Sequence, residues 1–317
     1  MKEVLHFYYL VPINTARFML IRNLFSYVLL VLWLLLSIPN VYATEKTSTI
    51  DGVISTIGSD TLSRLVSQWT EALQQNHPGI RLELHSGGSS TAATALISGT
   101  TIMAPMSRRM SDQEQRLFAR QHGYPVTEIP IAEDRIMVFV HPDNSLTELS
   151  LAELDAIFSS TRLRGYPNPI THWHQLPSTY DWSNRAIEVY SRSVTSGTYG
   201  DFRELALAGG DFINRLIELP GSLAVVRGVA SSKNAIGFAS FAYLDSQIKP
   251  LAISLTSEES SVAVTDQESE YPLSRILYLY LNHPPNTELP PHYAYWLAFV
   301  LSEQGKAILL SSGLTPL

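Results

Sequence analysis

The chain of 317 residues contains no cysteine. This absence excludes disulfide bonds, a thiolate nucleophile, thiolate metal sites and a lipid-bearing cysteine. Basic residues are also in the minority, since 22 lysines and arginines stand against 29 aspartates and glutamates and the net charge is −7. A negative surface argues against nucleic acid and anionic membranes as partners. It does not argue against a small anion, which a local nest of backbone N–H groups can bind whatever the total charge.

Motifs of several enzyme classes are missing as well. Neither the G-x-S-x-G of α/β-hydrolases nor the P-loop of nucleotide hydrolases occurs. His172 and His174 flank Trp173, but no ligand pattern such as H-E-x-x-H accompanies them. We interpret this segment as surface packing. The sequence therefore predicts no catalytic residue, no metal site and no cofactor.

The first 43 residues have the pattern of a secretory signal peptide. Two arginines precede the apolar run Val28–Leu36, and Val41-Tyr42-Ala43 resembles an A-x-A cleavage site. We predict a signal peptide over residues 1–43, with Met19 as an alternative start that would give a signal of more usual length. An uncleaved membrane anchor is the other interpretation, although the uninterrupted apolar run is shorter than the ~20 residues that a spanning helix needs.

Strand and helix patterns alternate through the rest of the chain. Apolar runs predict strands at 53–57, 80–84, 136–140, 187–190, 236–240 and 278–281. Helical spacing of apolar residues predicts helices at 62–73, 92–96, 111–122, 150–158, 202–208, 223–230 and 293–310. Segments 161–185 and 256–270 are typical of surface connections. Such alternation predicts mainly parallel sheets flanked by helices, and the length predicts two domains.

Four short segments combine hydroxyl groups with charged side chains, and at least three of them join a predicted strand to a predicted helix. They are Ser59-Asp60-Thr61, Ser89-Ser90-Thr91, Ser107-Arg108, and Arg192 with Ser196-Gly197-Thr198. A helix N-terminus points free N–H groups and the positive end of its dipole at one place. Each segment alone is more typical of a helix cap. As a set with two arginines, they predict a site for an oxyanion at the carboxyl ends of the strands.

These segments resemble those of the periplasmic phosphate-binding proteins of phosphate ABC transporters. The principal matches are Gly58-Ser59-Asp60-Thr61, Gly88-Ser89-Ser90-Thr91 with Leu96-Ile97-Ser98-Gly99-Thr100, Met106-Ser107-Arg108, and Arg192 with Ser196-Gly197-Thr198. Supporting matches include Val140-His141-Pro142-Asp143-Asn144, Ala235-Ile236-Gly237-Phe238, Tyr271-Pro272-Leu273-Ser274-Arg275 and Leu301-Ser302-Glu303-Gln304-Gly305. The matches follow the order of the family from about residue 50 to the C-terminus.

The resemblance implies an α/β protein with the two-lobed, type II periplasmic-binding-protein fold. Residues 44–135 and 244–317 would form lobe I and residues 136–243 lobe II, with crossovers near 133–136 and 239–245, and the lobes would close over phosphate by a hinge motion. The implied phosphate ligands are Ser59, Asp60, Thr61, Ser89, Thr91, Ser107, Arg108, Arg192, Ser196, Gly197 and Thr198. Arg192 would be the principal cation.

The resemblance also implies where the protein works and with what. The implied protein is a monomer without enzyme activity in the periplasm. It would deliver inorganic phosphate to the membrane permease and ATPase subunits of an ABC transporter.

Two positions depart from the family pattern. Some members carry an aspartate at the position of Arg108 and others an arginine, and many carry an acidic residue at the position of Val194 that supports the cation. We consider Asp60 a replacement acceptor for the proton that phosphate has and sulfate lacks, because a carboxylate would repel the fully deprotonated dianion. The alternative is that Asp60 only caps the helix that follows it.

Other functions compete with phosphate transport. The same fold could hold another oxyanion or a phosphorylated metabolite. A secreted phosphatase would use Ser196 or Thr198 as nucleophile, although neither a base nor a metal cluster is evident beside them. In a surface or adhesion protein, phosphate binding would be secondary.

Overall fold

Strands and helices alternate in the structure, a computed structural model that describes residues 50–176, 184–266 and 269–317. These residues contain eight α-helices: α1 (Asp60–Gln74), α2 (Ser89–Ile97), α3 (Asp112–His122), α4 (Leu151–Phe158), α5 (Gly197–Leu207), α6 (Ser222–Ser231), α7 (Pro291–Val300) and α8 (Glu303–Ser311). They contain twelve strands: β1 (Gly52–Gly58), β2 (Ile80–Ser86), β3 (Met103–Met106), β4 (Thr127–Val140), β5 (Glu148–Ser150), β6 (Glu188–Arg192), β7 (Ile217–Leu219), β8 (Ala235–Ser240), β9 (Lys249–Pro250), β10 (Ala252–Ser254), β11 (Ser274–Leu281) and β12 (Thr315–Pro316).

Several helices begin at the serines that the sequence pattern indicates. The Ser111 and Ser150 side chains accept from the N–H groups of Glu114 and Glu153, and both glutamates bond back to the cap backbone. Both arrangements are capping boxes, and the helices predicted at 111–122 and 150–158 are confirmed. Ser59 caps α1 in the same manner, although without the returning glutamate. Because β1 ends at Gly58 and α1 starts at Asp60, a single residue carries the chain from strand to helix.

Ten of the described strands form one mixed sheet. Its main order is β2-β1-β3-β11-β4-β8-β6-β7, and β9 and β12 also pair with β4. The pairs β1–β2, β1–β3, β6–β8 and β6–β7 are parallel, as the alternation of elements predicts. The strands in the middle are antiparallel, since β11 runs against β3 and β4, and β4 runs against β8. The prediction of separate, mainly parallel sheets is therefore corrected to a single mixed sheet.

The long strand β4 makes the sheet continuous. Residues 127–135 pair with β11, whereas residues 136–140 pair with β8. The sequence predicted only the second half, because 136–140 is wholly apolar while the first half interleaves Glu128, Pro130, Glu133 and Asp134 with apolar residues. Such a mixture has no clear strand period.

The apolar residues pack in distinct clusters on either side of this strand. On the β8 side, the rings of Phe202 and Phe238 stack with centroids 3.9 Å apart. On the β1 side, Trp69 and Trp296 meet edge to face at 5.9 Å, and the indole N–H of Trp296 donates to the Thr70 hydroxyl at 2.9 Å. Trp69 and Trp296 are fully buried and belong to the core.

Two further predictions concern the N-terminal segment and the connection at 256–270. The predicted signal peptide, the alternative anchor and Met19 fall within residues 1–49, outside the described residues. No helix in the described part of the chain has both the length and the apolar character needed to cross a bilayer. The segment 256–270 contains no strand or helix among its described residues, as predicted for a surface connection.

Candidate functional site

Three helix N-termini meet at one place in the structure. Helix α1 follows β1, α2 follows β2, and α5 follows β6. The Ser59 and Ser196 hydroxyls cap α1 and α5 by accepting from the N–H groups of Thr61 and Thr198, both at 3.2 Å. The side chains at these starts touch, since the hydroxyl oxygens of Thr61 and Thr198 are 3.0 Å apart. Three positive dipole ends therefore point into a common region.

A chain of buried serine hydroxyls lies beside these helix starts. Ser107, just after β3, lies between Ser59 and Ser89, with Oγ–Oγ distances of 2.8 and 3.3 Å. The backbone N–H of Ser107 also donates to Ser89 Oγ at 3.0 Å. All three serines are at most 2% exposed. Their hydroxyls can each act as donor or acceptor, so the chain can reorient toward a bound oxyanion.

Gly197 brings α5 against this serine chain. A Cβ atom at this position would lie 2.4 Å from Ser89 Oγ and 2.5 Å from Ser107 Oγ. No real side chain approaches that closely, so only glycine allows the contact. The predicted residues Ser59, Thr61, Ser89, Ser107, Ser196, Gly197 and Thr198 are thus brought together by the fold.

Arg192 is the cation closest to the start of α1. It ends β6, is only 1% exposed, and has its Nη2 atom 3.1 Å from Asp60 Oδ2. Its Nη1 group donates to the Ser222 hydroxyl, and the Ser222 N–H donates to Asp60 Oδ2 at 2.8 Å. Burial lowers the pKa of Arg192, while the charge of Asp60 opposes that shift. Arg192 Nε has no hydrogen-bond partner among the described residues.

Asp60 therefore has a different role from that of a helix cap. Ser59 is the capping residue and Asp60 is the first residue of α1, so the prediction that Asp60 only caps the helix is wrong. The Asp60 carboxylate instead pairs with Arg192. Val194 is 64% exposed. The counter-charge of Arg192 thus comes from Asp60 on α1. The proposed role of Asp60 as acceptor of the ligand's proton stays a prediction.

Arg108 lies at the edge of the cluster and already has a partner. Its guanidinium forms two parallel hydrogen bonds with the Glu114 carboxylate, at 2.7 and 2.8 Å, and a third with Ser90 Oγ at 3.2 Å. Burial lowers the pKa of Arg108, but the hydrogen bonds and charge of Glu114 outweigh it, and the pKa is raised. Much of the charge of Arg108 is thus compensated within α3.

Thr91 is the predicted residue that the structure leaves outside the cluster. Its side chain is exposed, and its hydroxyl donates to the carbonyl of Gly87 at 2.8 Å. Ser89 and Thr91 are two positions apart on α2, and such residues do not share a face of a helix. Because Ser89 faces the cluster, Thr91 cannot.

Arg275 joins the site, although the sequence analysis did not assign it. It lies on β11 and is 7% exposed. Its Nη2 group donates to the Thr198 hydroxyl at 3.0 Å and to Asp134 Oδ2 at 2.8 Å. Its Nη1 group donates to Asp201 Oδ2 at 3.3 Å. The available signal was its position in Tyr271-Pro272-Leu273-Ser274-Arg275, a segment matched to the family that lies just before the strand predicted at 278–281.

Asp201 is a carboxyl group with an unusual environment. It lies on α5 beside Arg275. Burial raises the pKa of Asp201 to about 6, even though the charges of Arg275 and Arg108 act in the opposite direction. The neighbouring positive charges therefore do not offset the free-energy cost of ionising a carboxyl group that is removed from water.

The arrangement of these groups is better suited to binding an anion than to catalysing a reaction. Hydroxyls, N–H groups and guanidinium groups all donate hydrogen bonds, as the oxygens of a tetrahedral oxyanion require. Ser196 acts as a helix cap, and the partners of Thr198 among the described residues are Thr61 and Arg275, neither of them a general base. The described residues also contain no group of three histidine, cysteine or acidic side chains placed to hold a metal ion.

The chain is similar in sequence to known phosphate-binding proteins. The model of the PBP superfamily domain matches residues 43–304. Phosphate-binding protein PstS of Pseudomonas aeruginosa strain PAO1 is 40% identical over 278 residues, which cover 86% of this chain and 85% of that protein. Phosphate-binding protein PstS of Staphylococcus saprophyticus is 23% identical, covering 81% of this chain and 78% of that protein.

Solved structures show the same fold. A phosphate ABC transporter substrate-binding protein from Clostridium perfringens, with bound phosphate, has a TM-score of 0.70 at 23% identity and covers 84% of this chain and 100% of its own. An ABC-type phosphate transport receptor from Vibrio cholerae has a TM-score of 0.61 at 21% identity, with 83% and 99% covered. These likenesses confirm an α/β fold of the periplasmic-binding-protein type.

Asp201→Asn should change how stability depends on pH. The pKa of Asp201 is about 6 in the folded protein and 3.8 for an unperturbed aspartate, so the folded state binds more protons between those values. Asp201 therefore makes the free energy of unfolding larger below about pH 4 than at pH 7. This contribution is lost as the pH rises through the folded-state pKa of about 6. Urea unfolding at pH 4, 5, 6 and 7 should show the variant gaining stability relative to the native protein as the pH rises. Parallel profiles would contradict this, and Glu288→Gln, at an exposed carboxylate, is the control.

Proposed function

The chain belongs to the PBP superfamily and, within it, to the phosphate-binding proteins, and from this premise we propose that it captures inorganic phosphate and delivers it to a phosphate ABC transporter. The observation that carries the proposal is the convergence of three helix N-termini, six hydroxyl side chains and the buried Arg192 at one place. Each of these groups donates to anions, and together they match the several oxygens of a tetrahedral ligand.

We assign binding to the groups that the fold brings together. Ser59, Ser89 and Ser107 would contribute hydroxyls from one side, and Ser196, Gly197 and Thr198 would contribute a hydroxyl or N–H from the start of α5. Asp60 and Thr61 lie at the start of α1, and Arg192 supplies positive charge. Arg108 would contribute at the edge, where Glu114 compensates its charge. A protein of this kind binds without breaking a bond, so the phosphatase interpretation loses its support.

The proposed partners follow from the family. A membrane permease and an ATPase subunit would receive the phosphate, and the chain itself would act as a monomer in the periplasm. The net charge of −7 is consistent with a protein that binds a small anion locally and does not bind nucleic acid.

Arg192→Lys should weaken phosphate binding about ten-fold or more, which corresponds to about 1.4 kcal/mol. The single nitrogen of an ammonium group cannot take the separate positions from which Nη2 and Nη1 of Arg192 contact Asp60 and Ser222, so the variant loses part of this arrangement. The measurement is calorimetric titration of ligand-stripped protein with phosphate, and Arg120→Lys, at an exposed position of α3, is the matched control. If the native protein does not bind phosphate, the proposed function is wrong.

Thermal shifts with phosphate, arsenate, sulfate and molybdate extend that test to other oxyanions. A ligand at 100 times its Kd adds about 2.7 kcal/mol of stability. A larger shift with another oxyanion than with phosphate would favour the alternative ligand. Turnover of a phosphomonoester would favour the phosphatase.

We further propose that the protein has two lobes with a hinge, which the resemblance to the family puts at residues 44–135 with 244–317 and at residues 136–243. Separate apolar clusters support two lobes, since one draws on β1, α1, α7 and α8 and another on α4, α5, α6 and β8. The second cluster also includes Ile248, Leu251, Ile253, Val264, Tyr271 and Leu273, so we propose that residues 244–273 belong to lobe II. The crossovers would then be β4 near residues 133–136 and the chain near residues 273–274, in place of the segment 239–245. Contacts such as Asp60 to Arg192 and Thr61 to Thr198 would then form across the cleft.

Phosphate should make the protein more compact if the lobes close on it. Bonds from both lobes to one anion favour the closed state by the difference in affinity between the two states. Small-angle X-ray scattering of stripped protein, with and without saturating phosphate, should show a smaller radius of gyration with phosphate. An unchanged radius would contradict the hinge while leaving phosphate binding intact.

The signal peptide also remains a proposal. Secretion into the periplasm should remove residues 1–43, so intact mass spectrometry of the periplasmic fraction should give a chain that begins at Thr44. Ala43→Arg should block cleavage, because the protease requires a small residue before the cut, and the mass of the retained precursor would tell whether translation starts at Met1 or Met19. A native protein that keeps residues 1–43 would instead support the membrane anchor.

A further inference from the structure

Arg275 brings a second buried guanidinium to the anion site. It reaches the Thr198 hydroxyl at 3.0 Å, and Thr198 in turn contacts Thr61 at the start of α1. The charge of Arg275 lowers the pKa of Arg192, after the larger effect of burial, so the two cations lie within each other's field. Two like charges held this close destabilise each other, and an anion in their vicinity relieves that cost.

Asp134 holds the guanidinium of Arg275 in place. Asp134, on β4, is 1% exposed, and its Oδ2 atom accepts from Nε and Nη2 of Arg275 at 3.0 and 2.8 Å. Its other oxygen accepts from the Ser240 hydroxyl at 2.8 Å, at the end of β8. One oxygen of the Asp134 carboxylate thus bonds to Arg275 on β11 and the other to Ser240 on β8. The paired strands therefore fix the position of the Arg275 guanidinium. Its Nη1 group is directed toward α5.

Asp201 is the weaker of the two carboxylate partners. Its single contact with Arg275 Nη1 is 3.3 Å long, and only one of its two oxygens takes part. Burial raises the pKa of Asp201 despite this contact, so the pairing does not compensate the cost of removing the charge from water. A partner held this loosely can be displaced by a better one.

We propose that Arg275 is a second anion-binding residue of the phosphate site, held by Asp134, and that Asp201 competes with the bound anion for the Nη1 group of Arg275. The inference rests on the proposed phosphate function and adds a residue to it. In this mechanism the anion replaces Asp201 on Arg275, while the bonds from Asp134 stay in place. The competition weakens when Asp201 is protonated, because a neutral carboxyl is a poorer partner for a guanidinium.

The charged and titratable groups around Asp201 come from two strands and one loop. Arg275 and Tyr278 lie on β11, Arg108 follows β3 and Asp134 lies on β4. The two arginines favour the ionised carboxylate and Asp134 disfavours it. The effect of Asp201 on binding should therefore be present at pH 8 and reduced at pH 5.5, where most of the carboxyl is protonated because its pKa is about 6.

The test is calorimetric titration of stripped protein with inorganic phosphate at pH 8 and pH 5.5. The paired variant Asp134→Asn with Arg275→Gln removes both charges of the buried pair, so that Asp134 is not left without a partner, and it should lower affinity about ten-fold or more. Asp201→Asn should raise affinity about three-fold at pH 8 and clearly less at pH 5.5. Phosphate itself titrates in this range, but its ionisation cancels when variant and native protein are compared at the same pH. Arg120→Gln is the control for loss of an exposed arginine.

The outcomes separate this inference from the function on which it rests. Native protein that does not bind phosphate would remove the function and the inference together. Native protein that binds, with the paired variant folded and equal in affinity, would overturn the inference alone. Should the paired variant not fold, Asp201→Asn decides: a loss of affinity at both pH values would mean that Asp201 itself contacts the ligand, which contradicts competition.

Discussion

The buried contact between Asp60 and Arg192 is the interaction on which the rest of the site depends. A guanidinium that is 1% exposed carries a desolvation cost of several kcal/mol unless a counter-charge meets it. Asp60 provides that charge from the start of α1, and Ser222 bonds to both partners from the start of α6. The need to compensate one charge thus ties three elements to one point, and the anion-binding groups gather around it.

The mixed sheet explains how distant segments reach that point. Strand β4 pairs with β11 along its first half and with β8 along its second, so the parallel strands on either side belong to one framework. The loops after β1 and β3 and the end of β6 then bring Ser59, Ser107 and Arg192 into a common region. A proposed hinge at β4 would let these loops separate without breaking either apolar cluster.

Much of the site could be predicted because its residues lie in local patterns. Ser59, Ser89 and Ser196 each lie at the junction between a strand and a helix. Such a junction can be predicted from the residues a few positions away in the sequence. Thr91 lies outside the cluster, since its position on α2 turns its side chain away from the face that carries Ser89. Arg275 lies before the strand predicted at 278–281, so no local pattern assigned it to the site, and the groups it meets come from β4 and α5.

The sequence by itself determined the alternation of strands and helices, the capping serines, the excess of negative charge and the resemblance to phosphate-binding proteins. All of these follow from composition or from residues close together in the chain. The tertiary structure decided which charges pair: Asp60 with Arg192, Glu114 with Arg108, and Asp134 and Asp201 with Arg275. It also decided that the strands join in one mixed sheet. Ion pairs and strand order join residues far apart in the chain, and their choice depends on burial and register that local periodicity does not contain.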